Sequence, residues 1–407
     1  MNNNPFGNQT FETVWLKHFK NSIKPIKTKS IKHIKFYKDK YFPLMVNVGR
    51  NISNGMYYVI DENETDYKGK TFLIYDVPGY FKNDTKVSKG LKIKRARQFK
   101  GASAELETFE TFEDYFKFKY KSNSRYKHKR NISRFETCFN ADYKIFCGDL
   151  SKNEYDYVFK HLKSIIGRRF DSLGMDNNIL SKADYYEELI YKMVSKKEAV
   201  LIVVYDDGTP VGVSFGFLSN SIMFYAITSF NIDYYRFNLG HITIIKLMQW
   251  CFDNGYKTFD FSKGLIDYKE RWTNSVYDYE CHILYDSKSF KSRLTANITY
   301  AFFKFKQYLR EKNINKLYNK IKFILKKKTD KIIVKPLESV NLEKEDIDLK
   351  TLIEIDKSAN EFEVIKAPLF DYLYRFPEKI DDIKIYKSKD LSKEYYAIGK
   401  TTNLKLH

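Results

Sequence analysis

The chain predicts an α/β protein built on a mixed sheet. Three features point there: two tight hairpins in succession, an almost wholly apolar helix after them, and a short alternating strand after that helix. Ala199 to Tyr205 is a continuous apolar run bounded by the turn Asp206–Pro210, and Val211 to Leu218 reads as its hairpin partner. Ser219-Asn220-Ser221 forms a second turn, and Ile222 to Thr228 a third strand. Gly240 to Asn254 carries Ile242, Ile244, Ile245, Leu247, Met248, Trp250, Cys251 and Phe252. Apolar residues most of the way round predict a buried helix rather than an amphipathic surface one. Asn238 is its expected N-cap, and Asn254-Gly255 its stop, because glycine tolerates the left-handed conformation.

Lys257 to Ser262 then alternates, with Phe259 and Phe261 on one face and Asp260 on the other. A strand–helix–strand crossover makes this fourth strand parallel to the third. An antiparallel sheet that opens at one parallel pair leaves a crevice at the strand ends, where ligands bind. A turn at Gly264, a short helix over Tyr268–Trp272 and a last strand over Tyr279–Tyr285 complete the unit. Helices over Phe159–Phe170 and Tyr185–Ser195 flank the sheet.

The chain divides three ways. Residues 1–132 alternate short elements: a helix over Phe11–Lys20, strands over Tyr57–Ile60 and Phe72–Tyr75, and a helix around Glu105–Lys121. The basic run Lys117–Arg130 is an exposed helix end and loop, or a grip on an anionic acceptor. Residues 133–328 hold the candidate catalytic half and end in a long basic, aromatic helical region over Ser287–Lys328. Residues 329–407 form a small accessory α/β unit of unassigned role: a strand over Ile332–Val334, an acidic helix over Glu343–Ile355 and a closing segment over Phe362–Ile398.

Composition narrows the function. The chain has 407 residues, 43% of them hydrophobic, enough for real cores, and a net charge of +20. Such a charge suits nucleic acid, an anionic membrane or acidic substrates, or reflects a base-composition bias that inflates Lys, Asn, Ile, Tyr and Phe together. Cys138, Cys147, Cys251 and Cys281 are widely spaced, with no CxxC and no metal-type cluster, which fits a reducing compartment and no metal cofactor. The start lacks a basic stretch followed by an apolar core, and no apolar run is long enough to span a bilayer. The expected location is cytoplasmic. A basic aromatic helix can also lie on an anionic membrane, so peripheral contact at its inner face through residues 300–328 is a second expectation. No helix-turn-helix, zinc-finger or RNA-binding signature is present.

Residues Asn238, Leu239, Gly240, His241, Ile242 and Thr243 open the apolar helix. Helix N-termini bind anions through free amides and the macrodipole, and Gly240 lets a ligand approach the backbone. An ordinary strand-to-helix connection is the other reading.

Around this helix the chain resembles the acyltransferases of the GNAT superfamily, and among them the CelD-like, FemAB-related acyltransferases of bacterial polysaccharide and cell-envelope pathways. The resemblance rests on Tyr234 and Tyr235, Leu239-Gly240 opening the helix, Gly255, Asp260-Phe261-Ser262-Lys263-Gly264, and Tyr268-Lys269-Glu270-Arg271-Trp272. Asn4-Pro5-Phe6 through Trp15-Leu16 and Arg130–Phe139 extend it over roughly residues 4–300. Two departures stand out. Leu239 replaces the usual proline, and Arg236 is one residue too far from Gly240 for the superfamily's loop signature.

The resemblance implies two tandem GNAT-like halves, the first degenerate and shaping the acceptor cleft. It implies transfer of an acyl group from acyl-CoA to an amine, such as an amino sugar or other saccharide or envelope precursor. Residues 238–243 would hold the donor's phosphates. Asp260 would orient or deprotonate the amine, or alternatively only bond a turn or an arginine. Tyr268 would protonate the thiolate, and Lys269 would hold a carboxylate, phosphate or oxyanion, although packing and solvation are the plainer roles for the pair. Tyr235, Arg236, Asp267 and Arg271 are candidate substrate contacts, the last two also a helical ion pair. Trp272 reads as packing, and His241 as a phosphate contact or a structural histidine. Two other functions stay open: an aminoacyl transferase using charged tRNA, as FemAB-type enzymes do, and a non-catalytic basic nucleic-acid-binding or scaffold protein.

Overall fold

The computed structural model describes residues 4–81, 89–173, 177, 179–312, 339–341, 349–389 and 394–406. Helix α1 (Gln9–Phe19) starts where the Asn8 side chain accepts from the Phe11 amide, and it buries Phe11, Val14 and Trp15. Four short strands follow: β1 (Ile31–Lys32), β2 (Phe36–Lys38), β3 (Met45–Asn47) and β4 (Val59–Ile60). Then come β5 (Thr71–Pro78), buried throughout, and the long β6 (Leu91–Glu105). The helix expected from Glu105 is shorter. β6 keeps pairing with the strand over Thr258–Lys263 as far as Glu105, and α2 (Phe112–Lys119) begins only after Thr111, whose hydroxyl caps the Asp114 amide. The basic run from Lys117 continues into a second helix, α3 (Ser122–Cys138).

β7 (Ala141–Phe146), α4 (Lys152–Leu173) and α5 (Ala183–Ser195) lead into the hairpins β8 (Ala199–Asp206), β9 (Thr209–Leu218) and β10 (Ile222–Phe230). A 3-10 turn over Ile232–Phe237 precedes α6 (Leu239–Asp253). β11 (Thr258–Lys263), α7 (Asp267–Trp272), β12 (Ser275–Asp286) and α8 (Phe290–Glu311) follow. Of the long helical region expected over Ser287–Lys328, residues 313–328 lie outside the described residues.

The main sheet has ten strands in the order β2-β3-β5-β12-β6-β11-β10-β9-β8-β7. Its two halves interleave: β12 from late in the chain lies between β5 and β6, and β6 from early in the chain lies between β12 and β11. The division expected near residue 132 falls inside α3.

β10 and β11 are parallel, as the crossover requires, but only at Ile222–Phe224 against Thr258–Asp260. Beyond that point both strands are irregular. β10 shifts register against β9 between Tyr225 and Ile227, and β11 shifts against β6 between Asp260 and Lys263. Such bulges bend a strand and end its pairing. Ser262, at φ 62°, turns its hydroxyl onto the Tyr225 carbonyl (3.0 Å), a side-chain link between strands whose backbone ladder has stopped.

One face of the sheet packs Phe6, Phe11, Phe217 and Phe224 under α1, α4 and α5. The other packs Met223, Phe259 and Phe261 under α2 and α6, with Tyr115, Phe116 and Trp272. Cys138, Cys251 and Cys281 are buried free thiols.

The C-terminal unit holds an antiparallel sheet of β13 (Ser339–Asn341), β14 (Leu352–Ile355), β15 (Lys384–Ser388), β16 (Tyr395–Ile398) and β17 (Asn403–Leu406), with α9 (Asn360–Arg375) against it. Ile332–Val334 and residues 343–348 lie outside the described residues. The rest of the expected acidic helix is a 3-10 turn followed by β14, because Leu352–Ile355 pair with β15. The core of this unit, including Ile365, Leu369 and Leu373, is continuous with Phe135, Phe139, Tyr234 and Phe237. The accessory unit therefore clamps the turn that leads into α6.

Trp272 anchors α7. It is fully buried, stacks on Phe116 (ring centroids 6.1 Å apart) and donates from Nε1 to His241 Nδ1 at 2.9 Å. Trp272→Ala should cost about 3–5 kcal/mol in denaturant unfolding. A loss below about 1 kcal/mol would contradict this packing role.

Candidate active site

Asp260 sits at the last paired position before β10 and β11 part, opposite Phe224. Its side chain is fully buried on the face away from Phe259 and Phe261. The Tyr80 hydroxyl donates to one carboxylate oxygen at 2.6 Å, and the Ser262 amide to the other at 2.6 Å. The Tyr277 hydroxyl lies 2.6 and 2.7 Å from the two oxygens and 3.1 Å from the Tyr279 hydroxyl, which in turn donates to the Asn54 carbonyl. Burial pushes the Asp260 pKa up to about 6, against the lowering pull of Tyr277, Tyr80, the Ser262 amide and Lys269. A carboxyl tuned towards neutrality is suited to exchanging a proton near pH 7. Of the three tyrosines only Tyr80 is partly exposed.

Lys269 on α7 donates to the Lys263 carbonyl at 2.7 Å, and burial lowers its pKa to about 8 while Asp260 opposes the shift. Lys263 itself pairs with Asp76 (2.6 Å) and donates to the Ser53 carbonyl (2.6 Å), tying the end of β11 to β5 and to the loop between β3 and β4. Tyr268 is half-buried. Burial and then Tyr225 hold its pKa above the usual phenol range, against Arg169, so it keeps its proton at neutral pH.

The opening of α6 departs from the expected cap. Asn238 takes a left-handed conformation (φ 54°) and makes no side-chain capping bond. Its carbonyl instead accepts from the amides of His241 (2.8 Å) and Ile242 (3.2 Å). Thr243 bonds the Gly240 carbonyl and Ser214. Gly240 faces the ring of Phe230, where an added Cβ would lie 3.3 Å from Cε1. The glycine therefore allows Phe230 to close onto the helix start. Arg169 stacks on the same ring, 4.9 Å from the Phe230 centroid, and has no carboxylate partner among the described residues. Ser229, the preceding residue of β10, is buried with its hydroxyl unpartnered.

The remaining expected residues are dispersed. His241 packs 5.1 Å from His128 and accepts from Trp272, and burial drives its pKa down to about 4, so it is neutral. Tyr235 is exposed, and Arg236 pairs with Asp371 of α9 at 3.1 Å. Asp267 and Arg271 are both exposed and do not form the expected ion pair. Arg271 lies instead on the side of His128 and His241, whose pKa values its charge lowers.

Tyr80, Tyr277, Tyr279 and Arg169 were not legible as site residues. The alternation Tyr277-x-Tyr279 was an available signal, since it puts both rings on one strand face. Tyr80 is 180 positions from Asp260, and no local pattern links them.

A cleft of about 230 Å³ opens beside Tyr80, lined by Asn4, Gly55, Tyr57, Phe81, Asn220 and Phe224. No group of three or more His, Cys, Asp or Glu able to hold a metal occurs among the described residues.

Residues 122–270 match the family described as the acetyltransferase (GNAT) domain, so this part of the chain is a domain of that type. No curated protein matches the chain. Similar solved structures include L-PGS from Bacillus licheniformis, at 12% identity and a TM-score of 0.42 over 74% of this chain and 98% of that one. FemX aligns at 12% identity and 0.42 over 61% and 83% of the two chains. A tandem GNAT protein from the clavulanic acid pathway aligns at 6% identity and 0.33 over 69% and 96%.

The raised pKa of Asp260 has a measurable sign. Its folded value of about 6 exceeds the unfolded value of 3.8, so its contribution to stability is complete below the unfolded value and is lost as pH rises through the folded one. Asp260→Asn, fixed neutral, should therefore gain stability relative to wild type between about pH 4 and about pH 7. Urea unfolding at the two pH values tests this, and parallel curves would contradict it.

Proposed function

We propose that this protein transfers an acyl group from acyl-CoA to the amine of an amino sugar or another cell-envelope or polysaccharide precursor. The observation that carries the reading is the Asp260–Tyr80–Tyr277 cluster at the point where β10 and β11 part. β10 beyond Tyr225 has no strand on its β11 side, which leaves backbone groups for the amides of the donor's pantetheine arm. The opening of α6, with Arg169 beside it, is the site for the phosphates. The unpartnered Ser229 hydroxyl supports a polar ligand along this strand. Bound there, the donor supplies a thioester carbonyl open to attack.

The acceptor enters from the cleft beside Tyr80. Asp260 already accepts three hydrogen bonds and does not reach solvent. The amine proton therefore passes first to the Tyr80 oxygen as the Tyr80 proton moves to Asp260, a relay that needs one bonded tyrosine and one carboxyl with a raised pKa. Lys269, poised between charged and neutral near pH 8, offers its remaining protons to the oxygen where negative charge grows. Tyr268, which keeps its proton, gives it to the departing thiolate. The first half of the chain supplies Tyr80 and one wall of the acceptor cleft, and so serves as the acceptor-shaping half.

Two measurements test this reading. Calorimetry should find acetyl-CoA binding that weakens by about tenfold or more (about 1.4 kcal/mol) in Gly240→Val, which displaces Phe230 and Arg169. No binding to either protein would overturn the donor assignment. In thiol-release assays over a panel of amino sugars, Asp260→Asn and Tyr80→Phe should each lower turnover about 10²–10⁴-fold with donor affinity kept. Full turnover in Tyr80→Phe would remove the relay.

A further inference from the structure

α8 leaves the main sheet with one face bare. Ser292, Ala296, Thr299 and Phe303 are its buried side, with Phe303 edge-on to Tyr75 at 5.5 Å. Phe290, Leu294, Ile298, Phe302, Phe305 and Tyr308 stand on the other side, each 48–73% exposed. At about 100° per residue these six fall within an arc of about 120°, along a helix about 33 Å long. Isolated apolar residues on a surface need no explanation, but a continuous stripe of this length does.

Charge says what covers it. The only acid on the helix is Glu311, already held by Arg97. Lys291, Arg293, Lys304, Lys306 and Lys312, on the helix and at its C-cap, have no acidic partner among the described residues. Lys304 also lines a groove of about 670 Å³ with Arg95 and Arg97 and the acids Glu280 and Glu311. A second copy docked stripe to stripe would bring these cations together and repel. A partner's groove would have to match a straight, convex ridge of bulky rings. A flat anionic interface accepts the rings and attracts the flanking cations, which is how an in-plane amphipathic helix binds.

We propose that α8 is a membrane-docking element that lies in the plane of an anionic bilayer, its Phe290–Tyr308 stripe among the acyl chains and its lysines at the headgroups. No described helix is long and apolar enough to cross a membrane, so this contact is peripheral. It also orients the molecule. Arg310, near the end of α8, stacks 4.0 Å from the Phe99 centroid, and Phe99 is the register partner of Tyr279. The docked helix therefore ends at the level of the Asp260 cluster and holds that end of the sheet close to the membrane surface.

Vesicle flotation of the full chain tests the proposal, with phosphatidylcholine alone and with roughly a third phosphatidylglycerol. Wild type should float with the anionic vesicles and not with the neutral ones. Phe302→Glu/Phe305→Glu should weaken binding at least about tenfold. Lys304→Glu/Lys306→Glu should weaken it as well and make the remaining binding less sensitive to salt. All four positions are exposed, so unchanged thermal melting confirms that the variants fold. Absence of wild-type binding, equal binding by the variants, or equal binding to neutral vesicles would overturn the proposal. So would a wild-type dimer in sedimentation that the phenylalanine variant dissociates, since a second copy would then cover the stripe. Vesicle binding needs neither donor nor acceptor, so its failure would leave the acyl-transfer reading intact.

Discussion

The site depends on the parting of β10 from β11. A parallel pair that continued in register would leave no unpaired backbone at its centre and no place for a ligand. Two irregularities prevent that continuation: the shift in β10 after Tyr225 and the left-handed Ser262 in β11. Ser262 then bonds the Tyr225 carbonyl, holding the apex of the opening at a fixed width while the strands diverge beyond it. Left-handed backbone at a non-glycine residue costs free energy, and here the surrounding sheet enforces it next to the buried Asp260 carboxyl. Its amide also bonds Asp260, so one strained residue both ends the ladder and holds the acid.

Burial tunes what that geometry assembles. Asp260 lies in a layer of phenols rather than beside a buried arginine, so its charge is stabilised by hydrogen bonds of moderate strength. Desolvation outweighs them and carries its pKa up to about 6. Lys269 shifts towards it from the other side, to about 8. In the proposed reaction, an acid and a base drawn together by a common apolar setting would divide proton uptake and charge stabilisation between two groups. The rest of the fold fixes their surroundings. The first half supplies Tyr80, β12 supplies Tyr277 and Tyr279, and the C-terminal unit clamps the turn before α6 through Arg236–Asp371 and the rings of Tyr234 and Phe237.

Sequence reading recovered what local pattern encodes. The hairpins, the buried α6 and the alternation that sets Asp260 opposite Phe259 and Phe261 all follow from periodicity within about fifteen residues. The parallel β10–β11 pair followed from handedness rules for crossovers. Pairing between distant segments was not legible, because neither β6 nor β12 carries a mark of its neighbour. The helix expected around Glu105–Lys121 starts late for the same reason: Glu105 is strand because Thr258 lies beside it. Asn238 is the N-cap that the sequence predicts, yet it caps through its carbonyl in a left-handed turn, a conformation open to asparagine that composition does not announce. The tyrosines around Asp260 were hidden in a chain with 33 of them, where an unusual role has no compositional contrast.

The central claim is that the opening between β10 and β11 receives a thioester donor, and hydrogen exchange addresses it without knowledge of the acceptor. On addition of coenzyme A, the amides of residues 226–230 and of Leu239 and Gly240 should slow, while β8 and the C-terminal sheet stay unchanged. Protection confined to another part of the molecule, or none at saturating coenzyme A, would contradict the account.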